Sequence, residues 1–393
     1  MNAFSRSATS AGDTEPLICA ILRGAPADWN RSEDADAIAE FLDAGRYHGV
    51  LPLLDAELTR RSAGAAWPNA ILRGCHKAAV VEAAYESARR AEIARVLEAL
   101  GAAGVRPVLL KGAALAETHY PNAALRPRAD TDFIIPPDRR DETERVLARL
   151  GYVKSAGVEG EFISHQATWT RTDPAGATHH LDVHWRIKNS PMLAHALSYE
   201  ELVTRAAPLP DLGPNACTPA PVHSLLFACV HRAGHVNVTL DEEGVARFGR
   251  DRLIWLYDVH LIVGRMSAGE LDEFVALASE RKMRAICGEG LRRTRERFAT
   301  PIPAHVMDQL TGPGPVEASA RYLSGGRARQ MLGDFLAFDR WRDRGGWARE
   351  LAFPSAAYMR TKYPDATFGW LPVLYARRAL AGAARLIYPH SKI

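Results

Sequence analysis

The chain has 393 residues, of which 47% are hydrophobic, so it can bury a substantial core and should form two or three domains or subdomains. Its 49 basic and 46 acidic residues nearly balance, and a formal charge of +3 gives no case for general nucleic-acid binding. Five scattered cysteines without metal-site spacing indicate reduced thiols in a cytoplasmic protein. No signal peptide is recognisable, and no apolar window approaches the roughly 18 residues expected of a membrane span.

Helical patterns dominate the first hundred residues. Apolar residues recur at helical spacing after Ser32 and from Leu51 to Arg60, and a long helix is predicted from Ile71 to about Ala103. No chemistry is recognisable in this part of the chain. Residues 1–104 are therefore predicted to form an N-terminal helical region that packs against a catalytic sheet.

The stretch from Pro107 to Ile135 is typical of a strand, a tight turn, a helix, a loop and a second strand. Its first apolar run, residues 108–110, ends at Lys111-Gly112, where the helix begins. A helix N-terminus beside a cation favours an anion, and Gly112 would let a phosphate approach the backbone closely. Lys111 could contact that phosphate, or it could form a salt bridge with a nearby acid.

The second strand of this stretch begins with Asp130-Thr131-Asp132. Side chains alternate along a strand, so Asp130 and Asp132 share one face, about 7 Å apart at their Cα atoms. Two carboxylates so placed can hold Mg²⁺, a hard cation that takes oxygen ligands. The pair alone is weak evidence, because a solvated polar rim at the start of a strand has the same pattern.

Two further strands are predicted from His165 to Arg171 and from His179 to Arg186, joined by a turn that contains proline and glycine. Asp182 and His184 lie on the polar face of the second strand. Its apolar face carries Leu181, Val183 and Trp185. Asp182 could supply a third acid, or it could be an exposed carboxylate paired with an arginine. His184 could move a proton or touch a substrate, or it could be a structural histidine bonded to a carboxylate.

From about Pro221 onward the apolar residues recur at helical spacing. The sequence thus predicts an α+β fold, with a small mixed sheet in a catalytic core of residues 105–215 and a larger C-terminal helical domain of residues 216–393. His231 and His235 lie four residues apart on a predicted helix. They resemble a metal pair but lack the glutamate of a zinc-protease motif, so no zinc site is expected there.

Four motifs resemble those of the uncharacterised nucleotidyltransferase family of the polymerase-β superfamily: Lys111-Gly112, Arg126-Pro127, Asp130-x-Asp132 and Leu181-Asp182-Val183-His184-Trp185. In that superfamily a Gly-Ser turn precedes a metal-binding Asp-x-Asp, and a third carboxylate follows on a neighbouring strand. Here Lys-Gly stands in place of Gly-Ser. Seventeen residues separate Gly112 from Asp130, which is longer than the usual gap.

The resemblance implies that Asp130, Asp132 and Asp182 are catalytic and hold two Mg²⁺ ions, for which Mn²⁺ could substitute. It assigns nucleotide binding to Lys111, Gly112 and Arg126.

Two of the matching residues have alternative roles. Arg126 would clamp a phosphate or orient one of the aspartates. Asp258 matches an acidic position in the helical half of the family and is a candidate for substrate contact, although packing against an N–H group or an arginine is the simpler expectation.

The resulting hypothesis is a Mg²⁺-dependent transfer of a nucleoside monophosphate from an NTP to a hydroxyl or phosphate of an unknown small-molecule, peptide or sugar acceptor. Family resemblance adds a role in tailoring a peptide or sugar natural product. Two alternatives stay open. One is glycosyl transfer from a nucleotide-sugar, because such enzymes also use an Asp-x-Asp motif. The other is a non-catalytic partner-binding protein on a degenerate transferase scaffold.

Overall fold

A computed structural model describes residues 11–61, 67–155, 157, 160–237, 239–242, 245–248, 251–364 and 370–387. Its helices are α1 Ala11–Leu22, α2 Ala35–His48, α3 Leu51–Arg60, α4 Asn69–Ala102, α5 Lys111–Thr118, α6 Arg140–Arg149, α7 Pro191–Ala194, α8 Tyr199–Thr204, α9 Pro221–Asn237, α10 Leu253–Val263, α11 Ala268–Glu280, α12 Arg284–Phe298, α13 Ala304–Thr311, α14 Ala318–Leu323, α15 Arg327–Leu336, α16 Trp341–Ala352, α17 Ala356–Lys362 and α18 Leu371–Ile387. Its strands are β1 Val108–Leu109, β2 Thr131–Ile134, β3 Val153–Lys154, β4 Gln166–Thr172, β5 Thr178–His184, β6 Ala207–Pro208, β7 Cys217–Thr218, β8 Thr239–Glu242 and β9 Val245–Phe248.

The central sheet has five strands in the order β1-β2-β5-β4-β3. Strands β2 and β5 run parallel, and the other neighbouring pairs are antiparallel. The sheet is therefore mixed, and the predicted α+β class is confirmed. Strands β4 and β5 form the hairpin that the sequence predicts, because polar and apolar residues alternate on both sides of its turn.

One face of the sheet packs against α4 and α6. The residues that meet there are Phe133, Trp169, Leu181 and Val183 from the strands, Ile135 directly after β2, Ile93, Val96, Leu97 and Leu100 from α4, and Val146 and Leu147 from α6. This layer fixes the orientation of β2 and β5, because a shift by one residue would turn their apolar side chains away from the helices. The acids that alternate with these residues must face the other way.

The opposite face meets the C-terminal helices. Its apolar residues, including Val108, Leu110 and Ile134, join one core with residues of α9 and α10. Within the region predicted as helical, β8 and β9 form an antiparallel hairpin, which the helical prediction missed. Among the described helices, none is both long and apolar enough to cross a membrane. The polar residues of β2 and β5 thus lie between the sheet and α9.

Candidate active site

Strands β2 and β5 bring two acids to the same level of the sheet. Asp132 and Asp182 are paired Cα positions in the parallel ladder, and His184 follows two residues after Asp182 on the same face. The backbone N–H of Leu110 donates to the Asp132 carbonyl oxygen at 2.9 Å, so the start of α5 is held beside this pair. Sequence alternation and strand pairing together therefore assemble the polar cluster.

Asp132 is the most enclosed acid of the cluster, with 4% of its surface exposed. The Lys111 ammonium group forms a salt bridge with its Oδ1 atom, and the His184 Nε2 atom lies 3.0 Å from the same oxygen. Burial alone would raise the pKa of Asp132, but Lys111 and His184 hold it well below its ordinary value. Asp132 is therefore an anion at neutral pH.

Asp182 is anchored from the neighbouring strand. Thr168 is its paired residue on β4, and the Thr168 hydroxyl donates to Asp182 Oδ1 at 2.7 Å. Among the described residues, the second carboxylate oxygen of Asp182 and that of Asp132 receive no protein hydrogen bond. Each acid thus has one oxygen that is oriented by the protein and one that is available to a ligand.

Asp130 is half-buried and receives no side-chain hydrogen bond from the described residues. Burial, followed by the negative charges of Asp132 and Asp182, raises its pKa to about 6. Asp130 therefore lies close enough to Asp132 and Asp182 for their charges to act on it. A cation there would relieve this unfavourable concentration of negative charge.

Lys111 has an unusual backbone conformation for a residue with a side chain. Its φ angle is 50°, which lies in the left-handed region, and α5 begins at this residue. Burial alone would lower the pKa of its ammonium group, but Asp132, and more weakly Asp130 and Asp182, raise it. Lys111 therefore forms a salt bridge with an acid, which is one of the two roles considered from the sequence. The strained backbone places this cation at the acids.

Gly112 and Arg126 lie against each other. A Cβ atom at position 112 would be 3.2 Å from the Arg126 Nη1 atom, so the space beside this glycine holds the guanidinium group. Arg126 donates to both carboxylate oxygens of Asp258, from Nε at 2.8 Å and from Nη2 at 2.7 Å. The Tyr120 hydroxyl donates to Asp258 at 2.7 Å as well.

Arg126 and Asp258 thus form a buried ion pair that joins the loop before β2 to α10, with 7% and 4% exposure. Burial alone would lower the pKa of Arg126, but Asp258 raises it. Arg126 makes no hydrogen bond to Asp130, Asp132 or Asp182 in the described part of the chain. Asp258 therefore has the arginine partner that was the simpler expectation. In the structure, Arg126 pairs with Asp258 and not with an aspartate of the acidic cluster.

Two residues near the cluster carry no sequence motif. Thr168 orients Asp182, and its position opposite that acid follows only from the hairpin register. Lys188 lies in the loop after β5, where burial and then the charge of Lys111 lower its pKa to about 7. The alternation of β4 could have indicated Thr168. A single lysine in a loop gave no signal.

The donor set suits a divalent cation. Ligand atoms of Asp132, Asp182 and His184 lie within 4.8 Å of one another. Asp132 and Asp182 are carboxylates, and each has one oxygen that accepts no hydrogen bond from the described residues. Hard cations such as Mg²⁺ prefer anionic oxygen ligands of this kind. Asp130 lies outside this set of three, in which His184 appears instead. Asp130 remains close enough for its pKa to respond to both other acids.

Comparisons with known proteins assign the family. The sequence profile described as uncharacterised nucleotidyltransferase matches residues 34–299, more than half of the chain, and spans the sheet, α5 and α9 to α12. No curated protein sequence matches the chain. The matched segment contains every residue of the cluster described above. The chain therefore belongs to the uncharacterised nucleotidyltransferase family and is a nucleotidyltransferase by class.

Proposed function

We propose that the protein transfers a nucleoside monophosphate from an NTP to a hydroxyl or phosphate of an acceptor, with Mg²⁺ or Mn²⁺ at Asp130, Asp132 and Asp182. One observation carries this proposal: Asp132 and Asp182 lie on one sheet face, at matched strand positions, beside the cation Lys111. Nucleotidyl transfer depends mainly on positioning and on charge stabilisation. A rigid sheet that concentrates carboxylates supplies both when the metal is bound.

In the proposed transfer, the bond that forms is matched by a bond that breaks. The acceptor oxygen bonds to the α-phosphorus, the bond from that phosphorus to the bridging oxygen breaks, and pyrophosphate leaves. A bound divalent ion would neutralise phosphate charge and acidify the acceptor hydroxyl. The acceptor proton passes to solvent water, directly or through a carboxylate oxygen of the cluster that is not bound to the metal. Lys111 contributes positive charge on the helix side of the cluster.

A cleft that reaches Thr168, on the strand next to Asp182, offers space for the acceptor. Its volume is about 520 Å³, and Thr168, which bonds Asp182, is part of its lining. Gln166, Ser155 and Asn189 add polar groups, and Trp185 adds an aromatic ring. This mixture suits a small molecule, a sugar or a peptide with hydrogen-bonding groups. A tailoring role on a peptide or sugar natural product rests on family resemblance alone.

The first test measures metal binding, because it needs no acceptor. Mn²⁺ binding is followed by electron paramagnetic resonance in the wild type, Asp132→Asn and Asp182→Asn, with the exposed Asp308→Asn as a control for loss of one charge. The proposal expects a large loss of affinity in the first two variants and wild-type affinity in the control. Equal Mn²⁺ affinity in all four proteins would contradict the metal role.

The second test measures the reaction. Pyrophosphate release is followed with each NTP and a panel of alcohols, sugars and peptides, and it should disappear in an Asp130→Asn, Asp132→Asn double variant. Calorimetry with nucleotide-sugars under the same conditions addresses glycosyl transfer. Tighter binding of a nucleotide-sugar than of any NTP would favour that alternative.

A further inference from the structure

Lys188 lies next to the acidic cluster but has no role in the reaction described above. Its side chain is half-buried, and the charges that act on its ammonium group are those of Lys111 and Asp132. Among the described residues, none accepts a hydrogen bond from this group. An enclosed ammonium group has three donors that lose contact with water, so it is costly without an acceptor. A bound anion would supply acceptors and would favour the charged form of Lys188, whose pKa burial lowers to about 7.

Helix α9 is shaped to admit Lys188. A Cβ atom at Gly234 would lie 3.2 Å from the Lys188 Nζ atom and 3.5 Å from its Cε atom. A side chain at this position would therefore crowd the ammonium group and force it to shift. The glycine lets the cation lie against α9, at the level of His231 and His235.

His231 and His235 form the wall of the site on the α9 side. Their rings are in edge contact, with centroids 4.4 Å apart, and the His235 ring lies 5.2 Å from that of Trp255. Burial, and after it the charges of Lys188 and Lys111, lower the pKa of both histidines, to about 4 for His235. Both rings are neutral at pH 7. The positive charge near this wall therefore comes from Lys188, Lys111 and the arginines Arg126 and Arg252. Among these groups, Arg126 and Lys111 already have acidic partners.

We propose that Lys188 binds the two terminal phosphates of the nucleotide, which leave as pyrophosphate, on the side of the acidic cluster that faces α9. This inference rests on the proposed nucleotidyl transfer. Asp132 and Asp182 would hold the metal, which would neutralise phosphate charge, and the Lys188 ammonium group would contact phosphate oxygens directly. A polyphosphate fits because it carries several charges and many acceptor oxygens, which a lysine recognises as a point charge. It would also separate Lys188 from the like charge of Lys111.

The test is calorimetry of the full-length protein with the Mg²⁺ complexes of the four common NTPs, with inorganic tripolyphosphate and with the corresponding NMPs. Lys188→Met removes the charge and keeps much of the side-chain length, and Lys188→Arg keeps the charge. Lys77→Met, at an exposed position of α4, is the matched control for one lost positive charge. Thermal unfolding and Mn²⁺ binding show whether each variant retains its fold and its acidic cluster.

We expect Lys188→Met to bind NTP and tripolyphosphate about 10- to 100-fold more weakly, as for the loss of one charged hydrogen bond. Lys188→Arg should keep most of the affinity, Lys77→Met all of it, and NMP binding should not change. Equal NTP affinity in the wild type and in Lys188→Met overturns the assignment and leaves nucleotidyl transfer standing.

The measurements with tripolyphosphate distinguish phosphate binding by Lys188 from nucleotidyl transfer. If the wild type binds no NTP but binds tripolyphosphate through Lys188, the phosphate site is supported and nucleotidyl transfer is contradicted. If the wild type binds neither ligand, both proposals are overturned.

Discussion

Asp132 on β2 and Asp182 on β5 are directly paired positions of two parallel strands, and each has one carboxylate oxygen bound by the protein and one without a protein donor. The sheet thus holds two acids at the same level without any ligand. Because the strands are buried on the side of α4 and α6, their register is strongly specified. The relative position of Asp132 and Asp182 consequently depends on how the strands pack against α4 and α6.

Thr168 should influence metal binding without touching the metal. Its hydroxyl fixes one oxygen of Asp182 at 2.7 Å. Replacing such an orienting partner typically costs about 10- to 100-fold in metal affinity, so Thr168→Val should weaken Mn²⁺ binding by about that factor. Thr170→Val is the matched control, because Thr170 lies two residues along the same strand face and contacts His180. Unchanged Mn²⁺ affinity in Thr168→Val would contradict this role.

The sequence predicts the local part of this architecture well. The alternation of polar and apolar residues predicted the hairpin of β4 and β5. The helical spacing of apolar residues predicted the long helix α4, which spans Asn69–Ala102 in the structure. The convergence of the acids also follows from alternation once the strands pair. Trp185 was expected on the apolar face, but β5 ends at His184, so the alternation ends there too. The Arg140 guanidinium group lies 4.9 Å from the centre of its half-exposed ring.

Contacts between distant parts of the chain could not be predicted in this way. Arg126 and Asp258 are 132 residues apart, and no sequence pattern around either residue indicates that they form an ion pair. The environment of Lys188 depends on α9, whose position relative to the sheet is set by tertiary packing. The positive φ of Lys111 was likewise missed, because the neighbouring Gly112 was the natural candidate for a special backbone role.

The ion pair of Arg126 and Asp258 should matter for stability. Removing one partner of a buried pair leaves an uncompensated charge and typically costs about 3–5 kcal/mol, so Arg126→Met should lower the free energy of unfolding by about that amount. Arg126→Met combined with Asp258→Leu should lower it less, because no buried charge remains. Urea denaturation measures both effects.

The surface ion pair of Arg60 and Glu57 provides the control for this comparison. Arg60→Met should change the unfolding free energy by at most about 1 kcal/mol, since exposed pairs contribute little. If Arg126→Met were as stable as the wild type while losing NTP binding, Arg126 would contact phosphate instead.

The salt bridge between Lys111 and Asp132 should compete with metal binding. In Lys111→Met, the His184 ring remains as the hydrogen-bonding partner of a buried carboxylate, so we expect a loss of stability of about 3 kcal/mol without metal. A divalent cation can replace the missing charge. Mn²⁺ should therefore raise the melting temperature of Lys111→Met more than that of the wild type or of Lys77→Met. An equal or smaller shift in Lys111→Met would argue against a cation beside Asp132.

Asp130 should destabilise the metal-free protein at neutral pH. Its pKa rises from 3.8 to about 6 on folding, because of burial and then of Asp132 and Asp182. A carboxyl group with a raised folded pKa binds a proton more readily when folded. Its stabilising contribution is complete below about pH 3.8 and is lost as the pH rises through about 6. Two pKa units correspond to about 3 kcal/mol, and partial exposure reduces this to about 2 kcal/mol.

Asp130→Asn should therefore gain about 2 kcal/mol of unfolding free energy relative to the wild type between pH 4 and pH 7.5, measured by urea denaturation in the presence of a chelator. Asp308→Asn, at an exposed position, should show no such pH-dependent gain. Excess Mn²⁺ should reverse the order at pH 7.5, since the wild type then gains binding energy that the variant lacks. A difference between Asp130→Asn and the wild type that is independent of both pH and Mn²⁺ would place Asp130 outside the acidic cluster.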